Sequence, residues 1–148
     1  STLIARIERE HTPAAFVYFS DHGEEVNEFR PFSGHAYEKV TSYMCEVPFL
    51  IWLSPEFRSM RPDLHFDATR PYSTVDLPYT MADLAALRFR GYDDTRSLLS
   101  PQFRPRQRRV GELSYETVLD MTRSAKERQS APSRASSFIG TLTRRFAE

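Results

Sequence analysis

The order of hydrophobic segments along the chain predicts an α/β fold. The amphipathic segment TLIARIERE (2–10) precedes the apolar run AAFVYF (14–19), and a second apolar run, VPFLIWL (47–53), precedes a short helical segment, PEFRSM (55–60). Continuous β-branched and aromatic runs of this length are typical of strands buried on both faces of a parallel sheet. Helices that alternate with such strands pack in layers against the sheet, which is the arrangement of an α/β domain.

Composition is that of a folded domain. A chain of 148 residues with 40% hydrophobic and 13% aromatic residues can bury a hydrophobic core. It has no apolar run long enough to cross a bilayer and no secretory signal pattern, so we expect a soluble piece. Acidic residues outnumber basic ones up to residue 87, and basic residues predominate from 88 to 111. The single cysteine, Cys45, excludes an internal disulfide and a cysteine-rich zinc site, and we expect it to be a small buried apolar residue.

Capping residues and helical periodicity define the helices. Apolar residues lie at helical spacing in the first segment, which ends before Pro13. Ser54 is the predicted N-cap of the 55–60 helix, and Pro55 suits its first turn. The segment 73–87 predicts a longer helix that begins at Ser73 and has one apolar face, formed by Leu77, Met81, Leu84 and Ala85.

The chain divides into a folded part and a tail. We expect residues 1–111 to be a portion of a folded domain and residues 112–148 to be a tail, because the sequence SAPSRASS beyond Ser130 is low in complexity. Only two strands are predicted with clear patterns, which is few for a complete sheet. The chain is therefore expected to be part of a larger domain.

A candidate metal site follows the first predicted strand. Asp21 and His22 come directly after it, and active sites of open α/β sheets lie beyond the carboxyl ends of the strands. A carboxylate oxygen and an imidazole nitrogen are good zinc ligands, and Gly23 permits a sharp turn. The alternative is that Asp21 caps a turn and His22 is merely exposed. Glu24 could be a further ligand, a partner that orients His22, or a solvated acid, and these alternatives stay open. For Glu25 the preferred interpretation is a solvated acidic turn.

Several blocks, in their order and spacing along roughly residues 1–103, resemble the phosphoethanolamine transferases of the sulfatase-like alkaline phosphatase superfamily. They are YFSDHGEEV (18–26), GHA (34–36), EVPFLIWLS (46–54), TMADLAAL (80–87) and GYDDTRSLL (91–99). The resemblance implies a three-layer α/β/α sandwich with a mostly parallel sheet, of which this chain is the C-terminal part.

The resemblance also implies roles for individual residues. In the family, the Asp and His of the S-D-H-G-E motif coordinate the catalytic zinc, which implies Asp21 and His22 here. A further family histidine, in the loop before the V-P-F-type strand, lies near the substrate phosphate or a second metal, and His35 is the matching residue. The alternative for His35 is a surface histidine in a glycine-containing loop. His11 and His65 match nothing in the pattern and are expected to be surface or packing residues.

The implied activity is that of a zinc-dependent enzyme, with one or two Zn²⁺ or another divalent metal. It transfers phosphoethanolamine from phosphatidylethanolamine to a cell-envelope glycolipid or glycan, such as lipopolysaccharide lipid A or core, through a threonine nucleophile. Thr12, Thr41, Thr74 and Thr80 have no flanking sequence like the family's nucleophile block. We therefore expect the nucleophile upstream of this chain, an inactive isolated fragment, and a parent protein anchored in the bacterial inner membrane with its catalytic domain in the periplasm.

Two other functions are compatible with the sequence. One is a sulfatase or phosphodiesterase that transfers to water, although Cys45 lacks the C-x-P-x-R context of the sulfatase nucleophile. The other is a non-catalytic module whose arm RPRQRR (104–109) binds anionic partners. The arm has little aromatic interleaving, so a nucleic-acid partner is not predicted, and such a run is more typical of a solvated surface. A fragment with open sheet edges is expected to self-associate.

Overall fold

The two longest strands of the described residues form an antiparallel pair. The computed structural model describes residues 2–28, 30–36 and 38–130. The helices are α1 (Thr2–Arg9), α2 (Ser42–Cys45), α3 (Pro55–Met60), α4 (Leu77–Leu84) and α5 (Tyr115–Ser130). The strands are β1 (Ala15–Phe19), β2 (Glu25–Val26), β3 (Ser33–Gly34), β4 (Phe49–Leu53), β5 (Arg109–Val110) and β6 (Leu113–Ser114). This mixture of helices and strands agrees with the predicted α/β class.

Strands β1 and β4 pair in a register that runs from Ala15 opposite Leu53 to Phe19 opposite Phe49. The positions of both strands match the prediction, but the pairing is antiparallel, and only Val17 of β1 is partly buried. The expectation that β1 is buried on both faces among parallel strands is therefore wrong for this chain. A continuously apolar strand is typical of a complete sheet that covers both of its faces. Within the described residues, β1 and β4 form a sheet of two strands only, so most of β1 is exposed.

The hydrophobic core lies beside the β1–β4 pair. Leu53, Leu84 and Leu99 are buried together, and the partly buried side chains that pack on them are Val17, Ile51, Phe57 and Leu64. The Ser54 hydroxyl accepts hydrogen bonds from the amides of Phe57, at 3.1 Å, and Ala14, at 3.0 Å. The predicted N-cap is confirmed, and the same hydroxyl also holds the start of β1 against the end of β4.

The predicted 73–87 helix is shorter than expected. Residues Thr74–Asp76 form a 3₁₀ turn, helix α4 follows, and it ends at Leu84. The predicted cap, Ser73, makes no side-chain capping bond. The Arg61 guanidinium instead caps the other end of α4, since it donates hydrogen bonds to the carbonyl oxygens of Asp83, at 2.6 Å, and Leu84, at 3.2 Å.

The buried face of α4 also differs from the predicted apolar face. Met81 is 43% exposed, whereas Thr80 and Asp83 are buried. Thr80 accepts a hydrogen bond from the Leu98 amide at 2.9 Å, and Asp83 accepts one from the Tyr92 hydroxyl at 2.6 Å. Polar side chains whose hydrogen bonds are satisfied are stable in the interior, and a pattern based on hydrophobicity does not identify them.

Helix α5 packs against α2. Val118 and Thr122 are buried there, and the Thr122 hydroxyl accepts a hydrogen bond from the Ser42 amide at 3.0 Å. The helix lies inside the range assigned to the tail, 112–148, although the boundary itself stays a prediction. The low-complexity portion of that range, 131–148, is outside the described residues. None of the helices in the described part of the chain is long and apolar enough to cross a membrane.

Candidate metal centre

A short hairpin brings the two predicted histidine motifs together. Strands β2 and β3 pair with Glu25 opposite Gly34, so the next position along the hairpin places Glu24 opposite His35. The Glu24 carboxylate oxygen lies 3.6 Å from Nδ1 of His35. Residues eleven positions apart in the sequence are therefore neighbours because of the strand register.

His22 completes a cluster with these two side chains. Its ring centroid lies 3.9 Å from that of His35, and one ligand atom from each of His22, Glu24 and His35 lies within 4.8 Å of the others. Nδ1 of His22 is 3.0 Å from the Gly23 carbonyl oxygen. A carbonyl can only accept, so Nδ1 carries the proton and Nε2 is left with the lone pair that binds a metal.

Asp21 lies beside this cluster, on the solvent side. Its side chain is 88% exposed, and its carboxylate oxygen is 3.9 Å from Nε2 of His22. The same carboxylate accepts a hydrogen bond from the His22 backbone amide at 3.1 Å. The structure thus groups His22 with Glu24 and His35, and Asp21 adjoins the group at Nε2 of His22.

The donor atoms in this group suit zinc. Zn²⁺ takes imidazole nitrogens and carboxylate oxygens, and catalytic zinc sites combine about three protein ligands with an open position for a reacting group. Two imidazoles and one carboxylate lie together, and all three are partly open to solvent. Such a set fits a metal that must be reached by a substrate.

Gly23 is needed for close packing. Its amide donates to the Met44 carbonyl at 3.0 Å, and a Cβ at this position would overlap the carbonyl oxygen of Tyr43 and lie 2.5 Å from that of Glu46. The residue is absent from those with positive φ. Glycine is thus required here because its backbone packs closely against the end of α2, and not because of the predicted sharp turn.

Glu25 is a buried structural residue. The expectation that it belongs to a solvated acidic turn is wrong, because its side chain is 0% exposed. Arg30 donates to both carboxylate oxygens, at 2.8 and 3.1 Å, and the Thr41 hydroxyl donates at 3.2 Å. The acid run in the sequence gave no signal that distinguishes this carboxylate from Glu24, since its partners come from the hairpin loop and from the start of α2.

Asp21 and His22 open onto a cavity of about 660 Å³. Tyr72 and Tyr115 also line it. Burial raises the pKa of Tyr72 to about 12, and burial together with the hydrogen bond to Glu46 raises the pKa of Tyr115 to about 12. Both phenols stay neutral at physiological pH, and both hydroxyl groups are paired within the protein, that of Tyr72 with the Thr80 hydroxyl at 2.6 Å and that of Tyr115 with the Glu46 carboxylate.

The remaining candidates are not part of the cluster of His22, Glu24 and His35. Cys45 is half-buried, its thiol donates to the Thr41 carbonyl at 3.3 Å, and burial raises its pKa, as does the nearby Glu46 charge. Such a thiol is a poor nucleophile. His11 is exposed beside Glu56, with 3.0 Å between Nδ1 and the carboxylate, and His65 is exposed.

Comparison with models of known protein families shows which family this chain is related to. A family model for sulfatases matches residues 1–87. The chain belongs to the sulfatase family. This is the superfamily that the S-D-H-G-E motif and the blocks after it indicated, and the resemblance drawn from those motifs is confirmed.

Individual sulfatase-family relatives are phosphoethanolamine transferases. The chain is 43% identical over 98 residues to phosphoethanolamine transferase EptC of Escherichia coli K12 and equally to phosphoethanolamine transferase CptA of Salmonella typhimurium. In each case the match covers 64% of this chain and 17% of the relative. The chain thus spans about a sixth of the length of these proteins.

Solved structures confirm the fold class. The crystal structure of the C-terminal periplasmic domain of E. coli EptC matches with a TM-score of 0.69 and 35% identity, over 79% of this chain and 36% of that one. A complex of the same domain with zinc matches with a TM-score of 0.70 and 33% identity, over 84% and 38%. This sulfatase-family chain therefore has the α/β fold of part of that domain.

Proposed function

We propose that this chain supplies part of the zinc site of a phosphoethanolamine transferase. The observation that carries the proposal is the 43% identity over 98 residues to two phosphoethanolamine transferases, beside a sulfatase-family match over residues 1–87, which include the cluster. The site supports it, since Asp21 lies 3.9 Å from Nε2 of His22, and Glu24 and His35 beside them offer further oxygen and nitrogen donors of the kinds that zinc takes.

Each residue of the site has a proposed role. Asp21 and His22 hold the zinc, and His35 contacts the substrate phosphate or a second metal. Glu24, 3.6 Å from His35, orients that ring or adds a carboxylate ligand. When bound, zinc lowers the pKa of a hydroxyl nucleophile and neutralises charge on the phosphate. The number of ions, one or two, belongs to this proposal.

The reaction partners follow from the same relationship. The donor is phosphatidylethanolamine, and the acceptor is lipopolysaccharide, at lipid A or core, or another envelope glycan. The threonine nucleophile and further zinc ligands come from other parts of the protein, so the isolated chain is inactive. The solved EptC domains are periplasmic. We place the catalytic domain of this protein in the periplasm as well, on an inner-membrane anchor.

The test is a transfer assay on the full-length protein in membranes. Lipopolysaccharide incubated with phosphatidylethanolamine should gain the mass of phosphoethanolamine, a chelator should abolish the gain, and zinc should restore it. Loss of a residue that only orients a metal ligand lowers metal affinity roughly 10- to 100-fold. Because His22 is a proposed ligand itself, His22→Ala should lower zinc affinity by more than this. His65→Ala, which alters an exposed histidine outside the cluster, is the matched control.

Two results would contradict the proposal. Release of free phosphoethanolamine or cleavage of sulfate esters, without mass gain on lipopolysaccharide, would assign the protein to hydrolysis instead. Unchanged zinc affinity in His22→Ala would remove this residue from the metal site.

A further inference from the structure

The residue that follows each member of the cluster hydrogen-bonds to helix α2 or to its N-cap. These residues are Gly23, Glu25 and Ala36, which follow His22, Glu24 and His35 in turn. The Gly23 amide donates to the Met44 carbonyl at 3.0 Å, and the Ala36 amide donates to the Met44 sulfur at 3.4 Å. The hydroxyl of Thr41, the N-cap, donates to the Glu25 carboxylate at 3.2 Å. The position of α2 therefore sets the backbone position of all three side chains in the cluster.

Helix α2 cannot hold this position by itself. It has four residues, which is a single turn, and so short a helix has no stability of its own in water. Its N-cap, Thr41, makes no side-chain capping bond to the helix. The first amide of the helix, that of Ser42, is buried and needs an acceptor from another segment, because an unpaired buried amide is costly.

Helix α5 supplies this acceptor. The buried Thr122 hydroxyl accepts the hydrogen bond from the Ser42 amide at 3.0 Å. Two exposed hydrogen bonds join the same two helices further along, Lys126 with Tyr43 and Tyr115 with Glu46, the C-cap of α2. The contact that removes a buried polar group from isolation is the one made by Thr122, and it is therefore the contact on which α2 depends most.

The Thr122 hydroxyl is oriented for this contact. It donates to the Val118 carbonyl at 2.8 Å, one turn earlier in α5, so its proton is committed and a lone pair is left for the Ser42 amide. Serine can make both of these bonds, whereas valine has the shape of threonine and can make neither.

We propose that Thr122 is a positioning residue for the candidate metal centre, because it fixes α2 beneath the backbone that carries His22, Glu24 and His35. The inference rests on the proposed function, in which this part of the chain binds zinc. It gives a role in that site to α5, a helix outside the residues 1–87 that the sulfatase family model matches. Groups that hold metal ligands in place, without binding the metal, contribute to metal affinity in this way.

Hydrogen exchange of the full-length, zinc-free protein is the direct test. In Thr122→Val, peptides covering residues 20–26 and 34–46 should exchange roughly tenfold faster, since the Ser42 amide loses its acceptor. Thr122→Ser should keep the native rates. The matched control is Thr80→Val, because Thr80 is also buried and accepts a backbone hydrogen bond, from the Leu98 amide at 2.9 Å, but lies in α4. Native rates in Thr122→Val, or the same increase in Thr80→Val, would overturn the proposal.

Metal binding then separates positioning from a general loss of stability. The zinc affinity of Thr122→Val should fall roughly 10- to 100-fold, and the visible absorption bands of bound Co²⁺, which depend on the ligand geometry, should shift. Thr122→Ser should restore both, and Thr80→Val should change neither. Faster exchange in Thr122→Val with native zinc affinity and a native Co²⁺ spectrum would overturn the positioning role.

Failure of the inference is distinguishable from failure of the proposed function. If Thr122→Val behaves as the native protein while His22→Ala loses zinc affinity, the positioning role is wrong and the proposed zinc site stands. If the native protein itself binds no zinc, the proposed function fails, and the positioning of a metal centre fails with it.

Discussion

Replacement of the buried Glu25 carboxylate is expected to open the hairpin that carries the candidate metal centre. In Glu25→Gln the side chain keeps its size, but the amide offers one acceptor oxygen where the carboxylate offers two. Arg30 donates to both oxygens in the native protein, and Thr41 donates to one of them. In the variant, the amide NH₂ group would replace one of these oxygens and would face a donor that then has no acceptor.

The expected cost follows from the burial of the pair. Breaking a buried ion pair by removing one partner costs about 3–5 kcal/mol, because the other charge is left without compensation. Glu25 is 0% exposed, but the Arg30 side chain is 23% exposed and can recover part of its hydration. Arg30 also keeps its hydrogen bond to the Lys39 carbonyl, at 3.1 Å. We therefore expect about 3 kcal/mol, the lower end of this range.

Hydrogen exchange of the full-length protein, followed by mass spectrometry, measures this local stability. Peptides from residues 23–36 should exchange roughly 100-fold faster in Glu25→Gln, up to the limit that the native opening free energy sets. Because the hairpin places His35 next to Glu24, zinc affinity should fall as well. Glu38→Gln, which changes an exposed acid near this region, is the control and should have an effect within about 0.5 kcal/mol.

Equal exchange rates in the Glu25 and Glu38 variants would refute this reasoning. They would mean that the carboxylate is hydrated in solution and that the hairpin does not depend on it. A change confined to peptides outside the hairpin would likewise contradict the assigned role.

Four further outcomes are expected. Gly23→Ala should lower thermal stability by at least about 1–3 kcal/mol and weaken zinc binding, because its Cβ would overlap backbone carbonyls at the end of α2; a native melting curve would contradict this. Because burial and the Glu46 charge raise the pKa of Cys45, its thiol should be alkylated more slowly at pH 8 in the folded protein than in urea, and the alkylation rate should still increase above pH 9.0. Glu46→Gln should accelerate the alkylation; equal rates in this variant and the native protein would argue against the Glu46 contribution. Ser54→Ala should cost about 1–2 kcal/mol, measured by denaturation, whereas Ser59→Ala, an exposed helical serine, should cost less than about 0.5 kcal/mol. The isolated 148-residue chain should self-associate in sedimentation experiments through the sheet edges it exposes, and a monodisperse monomer would contradict that prediction.

Signals that act between near neighbours in the sequence predicted the structure well. The Ser54 hydroxyl caps α3 through the amide three residues later, and both strands β1 and β4 lie within the predicted segments. The helix at 73–87 was predicted at the right place with the wrong length and face. Thr80 and Asp83 are buried there because of hydrogen bonds to residues 9 or more positions away, which periodicity does not register.

The acidic motif shows the same division within a few residues. The sequence predicted Asp21 and His22 as metal ligands and His35 as a residue near the substrate phosphate or a second metal, and it assigned Glu25 to solvent. Adjacent acids of the same type acquire opposite environments, since Glu24 faces His35 and Glu25 faces Arg30 and Thr41.

The sequence by itself therefore determined the family and the α/β class, because these depend on residue types in a local order. Tertiary structure decided which side chains meet. The β2–β3 register joins Glu24 to His35, and the end of α2 leaves no room for a side chain at Gly23. Such contacts form between segments distant in sequence, and their geometry depends on backbone packing that no short window of residues specifies.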